Sequence, residues 1–508
     1  MIAVVDYGSQ YSHLIARRIR SLGVASEIIS PQKNTLELKN IEGIILSGGP
    51  SSVYKNRSPR LSDSLVELNV PILGICYGMQ LLAEYFGGRV AKSKSREYGK
   101  ETIFVNQGND LFKGLSKRET VWLSHGDKVE KLPKEFRSIS SSRSCPIAGF
   151  FNRNKNIYAV QFHPEVVHTE NGQTVLKNFV FKICRAKKSW NVKDQATKII
   201  KDLREEIGSE KVLIGVSGGV DSLVAANLLH RAIGNKLYAV FIDHGLLRKD
   251  EAEEVEVFYK KGGFKHFLKV DASKLFLKKL KGVTDPEGKR KIIGYTFIKV
   301  FEDVAKTLGK KDKIAFFAQG TIYPDRIESG ASSKQAAKIK SHHNLVLPKK
   351  LKFQVIEPLA DFYKDEVREI GERLRLPKES LFRHPFPGPG LAVRILGEVS
   401  PNRLEILQEA DAIYIEELKR AKLYDKIWQA FAALVPVKSV GVMGDSRTYQ
   451  YMISLRAVTS VDGMTADWFK MPLDVLERVS SRIVNEVKGV NRVVYDITQK
   501  PPATSEYE

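Results

Sequence analysis

The chain is 508 residues long, 43% hydrophobic, and carries a formal net charge of +22. That length exceeds what one hydrophobic core organises, so two to four domains of about 100–200 residues are expected. No apolar run of about 18 residues occurs, and Met1-Ile2-Ala3-Val4-Val5-Asp6 lacks the basic flank of a secretory leader, so a membrane-spanning class is excluded and a cytoplasmic protein without a membrane partner is expected.

From residue 2 to about 182, short apolar runs alternate with amphipathic stretches: strands over 2–5, 44–46 and 72–75, helices over 12–22 and 79–86. Such alternation implies a mostly parallel sheet with helical crossovers, here a first domain over 1–187. The polar junction Ala186-Lys187-Lys188-Ser189 leads into a second series. Its elements are helix 193–207, strand 211–216, helix 221–233, strand 237–242, helix 249–261 and strand 267–270, a domain over 188–383 whose ligand belongs at the carboxyl ends of the strands. The three prolines of His384-Pro385-Phe386-Pro387-Gly388-Pro389-Gly390 continue neither helix nor sheet and mark the next boundary. Residues 384–508 then show helices over 403–422 and 473–487 with β-like runs over 451–458 and 492–497. The expected class is α/β: two doubly wound, mostly parallel-sheet domains followed by a smaller α+β C-terminal domain.

The lysines are scattered over amphipathic stretches, so the surplus charge reads as solvated basic faces serving polyanionic small substrates, with no nucleic-acid partner expected. The three cysteines, Cys76, Cys145 and Cys184, lack C-x-x-C or metal-ligand spacing, which argues against a disulfide framework and a zinc site.

Gly74-Ile75-Cys76-Tyr77-Gly78 closes one apolar strand and opens a helix. At such a turn the glycines relieve crowding and the helix N-terminus favours a thiolate, although a lone cysteine reads equally as a small buried hydrophobe. Gln161-Phe162-His163-Pro164-Glu165, after a strand over 157–160, adds an imidazole with a carboxylate two residues on. Glu165 would hold His163, and His163 would take the proton of Cys76. Leu46-Ser47-Gly48-Gly49-Pro50 ends another strand with unhindered amides, so the Gly49 and Tyr77 N–H groups are expected to form an oxyanion hole. With Met79-Gln80, these segments resemble the class I glutamine amidotransferase domain, which hydrolyses glutamine through a cysteinyl thioester and releases ammonia. The resemblance implies nucleophile Cys76, base His163 and orienting Glu165. Ser124-His125-Gly126-Asp127 resembles a further segment near that family's glutamine pocket, and its His125 is expected to be structural or coupling.

Ser217-Gly218-Gly219-Val220-Asp221-Ser222 lacks the lysine of a Walker loop but still suits phosphate. Glycines let the backbone approach, consecutive N–H groups form an anion nest, and the following helix adds its positive end. Asp221 beside a polyphosphate implies Mg²⁺ between them. The segment resembles the PP-loop of the ATP pyrophosphatases. Residues 319–329 and Lys340-Ser341-His342-His343-Asn344 concentrate polar groups in an expected loop of the kind that forms lids. Lys364 joins the phosphate clamp or lies on a surface helix.

Taken over the whole chain, the arrangement resembles the GMP synthetase family, carried also by Asp285-Pro286-Glu287-Gly288-Lys289-Arg290, Arg383 to Gly390 and Lys500-Pro501-Pro502-Ala503-Thr504. The resemblance implies glutamine, ATP and xanthosine 5′-monophosphate (XMP) as substrates, with Mg²⁺ accompanying ATP. XMP is adenylylated at its C2 oxygen and then aminated to GMP. It further implies ATP binding by Ser217 to Leu223, lid residues Asp325 and Glu328, XMP residues Arg290, Gln450, Lys500 and Glu506, and a homodimer through the C-terminal domain. Ser505 and Tyr507 depart from the family's usual bulky apolar residue and tryptophan. Another ammonia-using adenylylating synthetase, of the NAD synthetase type, is the alternative.

Overall fold

The computed structural model of the chain describes residues 1–32, 40–55, 58–106, 108–330, 353–443, 445–460, 466–500 and 502–508. The chain divides into two units, Met1–Asn191 and Val192–Glu508.

In the first unit the strands are β1 (Ile2–Val5), β2 (Ser26–Ile29), β3 (Gly43–Leu46), β4 (Ile72–Ile75), β5 (Arg89–Val105), β6 (Arg118–Lys131), β7 (Arg137–Ser142), β8 (Gly149–Asn152) and β9 (Ile157–Val160). They form one sheet in the order β2-β1-β3-β4-β9-β8-β7-β5-β6. The first five are mutually parallel, and β1, β3, β4 and β9 are buried at every position, as strands covered on both faces must be. Beyond β9 the sheet continues antiparallel. The sequence reading did not resolve this half, where uniform apolar runs give way to mixed ones: in β6, which buries one face, Val121 and Leu123 point inward while their neighbours are partly exposed.

The second unit carries a parallel sheet of β10 (Lys211–Val216), β11 (Leu237–Asp243), β12 (His266–Asp271), β13 (Ile314–Ala318) and β14 (Gln354–Ile356), in the order β12-β11-β10-β13-β14. A second sheet contains β15 (Gln429–Met443), β16 (Ser446–Thr459), β17 (Asp467–Trp468) and β18 (Val490–Asp496). Here β15 and β16 form a long hairpin, and β18 joins β16 in parallel. Helices Pro401–Arg420 and Leu473–Glu486 complete this part. One apolar core runs from Leu213, Phe276, Phe301 and Phe317 into Leu391, Leu407, Leu434 and Ile483, so the parallel sheet and the α+β segment are packed as one body. Each such side chain, fully buried, contributes roughly 1.5–3 kcal/mol. No described helix is long and apolar enough to cross a membrane.

Candidate active sites

Three adjacent strands of the first unit, β3, β4 and β9, point the same way, so the segments that follow them meet at one edge. β4 ends at Ile75 and the helix Tyr77–Tyr85 begins two residues later. Cys76, at the junction, adopts φ 53° and ψ −104°. Holding a non-glycine residue there costs on the order of 1–3 kcal/mol and requires surroundings that over-determine it. They do: a Cβ on Gly74 would sit 2.6 Å from the Gly78 carbonyl oxygen, and one on Gly78 2.4 Å from that of Leu46. Only glycines let the helix start lie this close to the sheet.

The Cys76 side chain is buried, its Sγ 3.7 Å from Gln161 Nε2 and 3.8 Å from the Ser124 carbonyl oxygen. The His163 imidazole hydrogen-bonds this sulfur and donates through Nδ1 to Glu165 Oε1 at 2.7 Å. Its main chain is fixed at both ends: His163 N–H donates to Trp122 O at 3.0 Å, and His163 O accepts from Thr169 Oγ1 at 2.6 Å. Tyr11 meets the ring edge-on, centroids 5.1 Å apart. Burial alone would push the imidazole pKa down, but the Glu165 carboxylate and then the Cys76 sulfur more than reverse this, raising it to about 10. A Cβ on Gly48 would lie 3.2 Å from His163 Cε1 and 3.7 Å from Cys76 Cβ, and one on Gly49 only 2.7 Å from Tyr7 O. The loop after β3 therefore flanks the sulfur with bare backbone. Tyr77 supplies the first N–H of its helix, which has no intrahelical acceptor. His125 donates through Nδ1 to Asp127 O at 2.9 Å, and burial pushes it down to about 4. The sequence reading did not single out Thr169 or Tyr11, which stand outside the recognisable runs. Gln161 lies within one, but nothing in its spacing signals an amide on the sulfur.

In the second unit, β10 ends at Val216 where the strand order reverses: β11 and β12 lie to one side, β13 and β14 to the other. Ligand crevices form at such switch points. Ser217 N–H donates to Ser222 Oγ at 3.0 Å, and Gly219 N–H to Ser217 Oγ at 3.1 Å, which ties the turn to the start of the helix Val220–Ile233. Val220, Asp221 and Ser222 occupy its first turn, and Leu223 closes the first helical bond, to Gly219 O at 3.2 Å. A Cβ on Gly218 would fall 2.4 Å from Glu251 Oε1, and one on Gly320 2.9 Å from Ser222 N, so the segment after β13 presses against the same turn. Asp221 Oδ2 is 3.7 Å from Lys364 Nζ. Its Oδ1 is buried without a hydrogen-bond partner among the described residues. A cavity of about 1510 Å³ opens on Ser217 and Gly218 and is lined further by Arg248, Arg383, His384 and Asp411.

The expected loop over 319–329 is corrected by the structure: residues Tyr323–Gly330 form a helix. Tyr323 is buried edge-on against Tyr363, centroids 5.3 Å apart, and its N–H donates to Phe362 O at 2.9 Å, so one aromatic anchor organises a segment whose polar composition suggests a loop. Asp325 lies in the first turn of that helix, its Oδ2 accepting from Ile322 N–H at 3.2 Å. Lys340 and the side chain of Glu328 lie outside the described residues.

Of the four residues carried over for XMP, three sit around the chain's last segment. Glu506 receives both arms of the Arg394 guanidinium, at 2.9 and 3.0 Å, and the Gln429 amide at 2.6 Å. Arg290 donates to the Glu508 carbonyl oxygen, and Lys500 Nζ to Ser505 Oγ at 3.2 Å. Gln450 stands on the hairpin opposite Ser439, its Oε1 buried without a hydrogen-bond partner among the described residues. Tyr507 OH is 2.6 Å from Ser454 Oγ.

A cysteine elbow with imidazole and carboxylate, and a glycine turn at a switch point, define an amidotransferase joined to a nucleotide-activating domain. Residues 3–183 match the family Glutamine amidotransferase class-I, 190–274 the PP-loop domain, and 416–507 the GMP synthase C terminal domain. Proteins called GMP synthase (glutamine-hydrolyzing) from Carboxydothermus hydrogenoformans and Thermosipho melanesiensis are each 55% identical to this chain, and one from Aquifex aeolicus 54%, over 100% of this chain and 99% of each relative. The chain belongs to the glutamine-hydrolysing GMP synthase family.

The raised imidazole pKa generates a prediction. In Glu165→Gln, loss of the carboxylate should lower the His163 pKa by about 1–3 pH units. Histidine-resolved NMR titration measures it, and an unchanged midpoint would show that Glu165 does not set the charge of the ring.

Proposed function

We propose that the chain makes GMP from XMP, ATP and glutamine, the first unit releasing ammonia and the second activating the purine that receives it. The observation that carries this reading is the Cys76–His163–Glu165 sequence of contacts at a strained elbow, on one polypeptide with the Ser217–Ser222 turn. Cys76 Sγ attacks the glutamine side-chain carbonyl, and the Gly49 and Tyr77 N–H groups receive the developing oxyanion. His163, held by Glu165, passes a proton to the departing nitrogen, so ammonia leaves and a thioester remains for water to hydrolyse.

In the second unit the XMP C2 oxygen attacks the α-phosphorus of ATP and pyrophosphate leaves. Ammonia then adds at C2 and displaces AMP. The N–H groups from Ser217 to Leu223 and the hydroxyls of Ser217 and Ser222 hold the phosphates. Asp325, Glu328, Lys340 and Lys364 act around them as lid and clamp, and Arg290, Gln450, Lys500 and Glu506 hold XMP. The buried, unpartnered Oδ1 of Asp221 fits a cation. Among the described residues no group of three or more His, Cys, Asp or Glu gathers to hold a metal, which suits Mg²⁺ arriving with nucleotide, since that ion uses one or two carboxylates plus phosphates. When bound there, Mg²⁺ neutralises phosphate charge.

The C-terminal hairpin supports a homodimer. Val440, Val442 and Tyr449 are 51%, 76% and 56% exposed, and Val440 pairs across the hairpin with Tyr449 so that both side chains share one face. An apolar sheet face of this kind fits a second copy.

Replacing Cys76 by Ala should reduce glutamine-dependent GMP formation by about 10⁴-fold or more while synthesis from ammonium salts persists. Loss of both activities together would remove Cys76 from the assigned role. For Asp221→Asn, the Mg²⁺ concentration that half-saturates pyrophosphate release should rise by about 10-fold or more, and an unaltered Mg²⁺ curve would reject Asp221 as the ligand. Sedimentation of Val442→Lys should show monomer where the parent chain is dimeric, and dimers of undiminished stability would place the interface elsewhere.

A further inference from the structure

Arg394 is fully buried, a costly position for a guanidinium unless it is paired and hydrogen-bonded. It stacks 4.2 Å from the centre of the Phe431 ring and 5.1 Å from that of Phe386. Its Nε and Nη2 grip both oxygens of Glu506, in the fork geometry that fixes a carboxylate in one plane. Gln429, itself buried, donates to Glu506 Oε1 at 2.6 Å and to Pro385 O at 3.2 Å, so the carboxylate is located by two side chains from separate elements. The socket is not self-satisfied: Arg394 Nη1 and Gln429 Oε1 are buried without hydrogen-bond partners among the described residues.

We propose that Arg394 and Gln429 are positioning residues that hold the Glu506 carboxylate in a single orientation toward the purine base of XMP. This rests on the assignment of Glu506 to XMP given above. A guanidinium in contact with both oxygens fixes the plane of the carboxylate, and the flanking rings prevent the arginine from swinging away. Glu506 then meets a base N–H as an acceptor that needs no reorganisation on binding, and its charge discriminates against a purine presenting only acceptors at that edge.

The test is a double-mutant cycle on the full chain, with KM for XMP, KM for ATP and kcat measured using ammonium as nitrogen donor. Glu506→Gln should raise KM for XMP by about 10- to 100-fold, the range for losing a charged hydrogen bond. Arg394→Met should do nearly the same, Arg394→Lys should recover part of the loss, and KM for ATP should stay within about twofold in each. In the Glu506→Gln background, Arg394→Met should add less than about twofold, because its partner is already gone. Gln429→Met, which leaves the arginine pair intact, provides a milder variant should Arg394→Met unfold, and should raise KM for XMP with KM for ATP unchanged. If Glu506→Gln leaves KM for XMP unaltered, the XMP assignment itself fails. If Glu506→Gln raises it and the Arg394 and Gln429 variants do not, or if the Arg394 and Glu506 effects add, the positioning role is overturned while the XMP assignment stands.

Discussion

Both sites depend on a main chain that leaves a buried parallel strand and enters a helix with no room for side chains at the crossing. At Gly74 and Gly78 a single added carbon would meet backbone at 2.6 and 2.4 Å, and at Gly320 it would meet the helix start at 2.9 Å. A strand spends its N–H and C=O groups sideways on its neighbours, whereas the first N–H groups of the following helix have no internal acceptor. The carboxyl edge of each parallel sheet is therefore where unused donors gather with one orientation. The oxyanion proposed at Cys76 and the phosphate proposed at Ser217 would draw on that supply.

In the first unit the same closeness turns a carboxylate into a source of basicity. Glu165 is 1% exposed, and its Oε2 is buried without a hydrogen-bond partner among the described residues. A carboxylate so placed interacts more strongly with the adjacent imidazole than a solvated one does. His163 keeps its proton up to about pH 10, against 6.5 for a free ring. By linkage, a raised histidine pKa contributes stability that is fully present below about 6.5 and lost as pH climbs through about 10. Over the intervening range the folded state holds a proton that the unfolded chain would release.

The parts of this architecture that sequence alone reveals are those where a local pattern and a tertiary demand coincide. The sequence predicts β10 over 211–216 and β9 over 157–160, and both occur with those bounds, because largely apolar runs between turn residues leave little freedom. The helix after Cys76 starts at Tyr77, two residues before its apolar periodicity does, since the elbow rather than amphipathicity sets its beginning. Residues 319–329 mislead for the opposite reason: Tyr323 packs beneath a polar surface, and one anchor carries no periodicity. For the C-terminal segment, the run Lys500 to Glu506 is conspicuous while Arg394 and Gln429 are not. Their contacts with Glu506 span 112 and 77 residues of chain, and separations of that size leave no trace in local spacing.

Those long-range contacts belong to a wider pattern at the end of the chain. Lys289, Arg394 and Arg456 are all essentially unexposed, and each directs at least one donor to a carboxylate within residues 496–508. Lys289 reaches Glu508 together with Ala392 O and Ile395 O, while Arg456 reaches Asp496 at 2.5 Å and the carbonyls of Thr498 and Thr504 at 3.2 and 2.9 Å. Burial lowers the Lys289 pKa, with Glu508 opposing the shift. Apolar side chains of similar size would hold a terminal segment at less desolvation cost, since buried ion pairs are often no more stable than hydrophobic replacements. What hydrophobic packing does not provide is one registry. Three buried cations separated along the sequence, each matched to an acceptor at a fixed place in the last thirteen residues, penalise a slip of even one position by leaving a charge unpaired. The segment carrying Lys500 and Glu506 is thereby held to one alignment against the sheet, which the proposed XMP contacts of these residues require and stability alone does not.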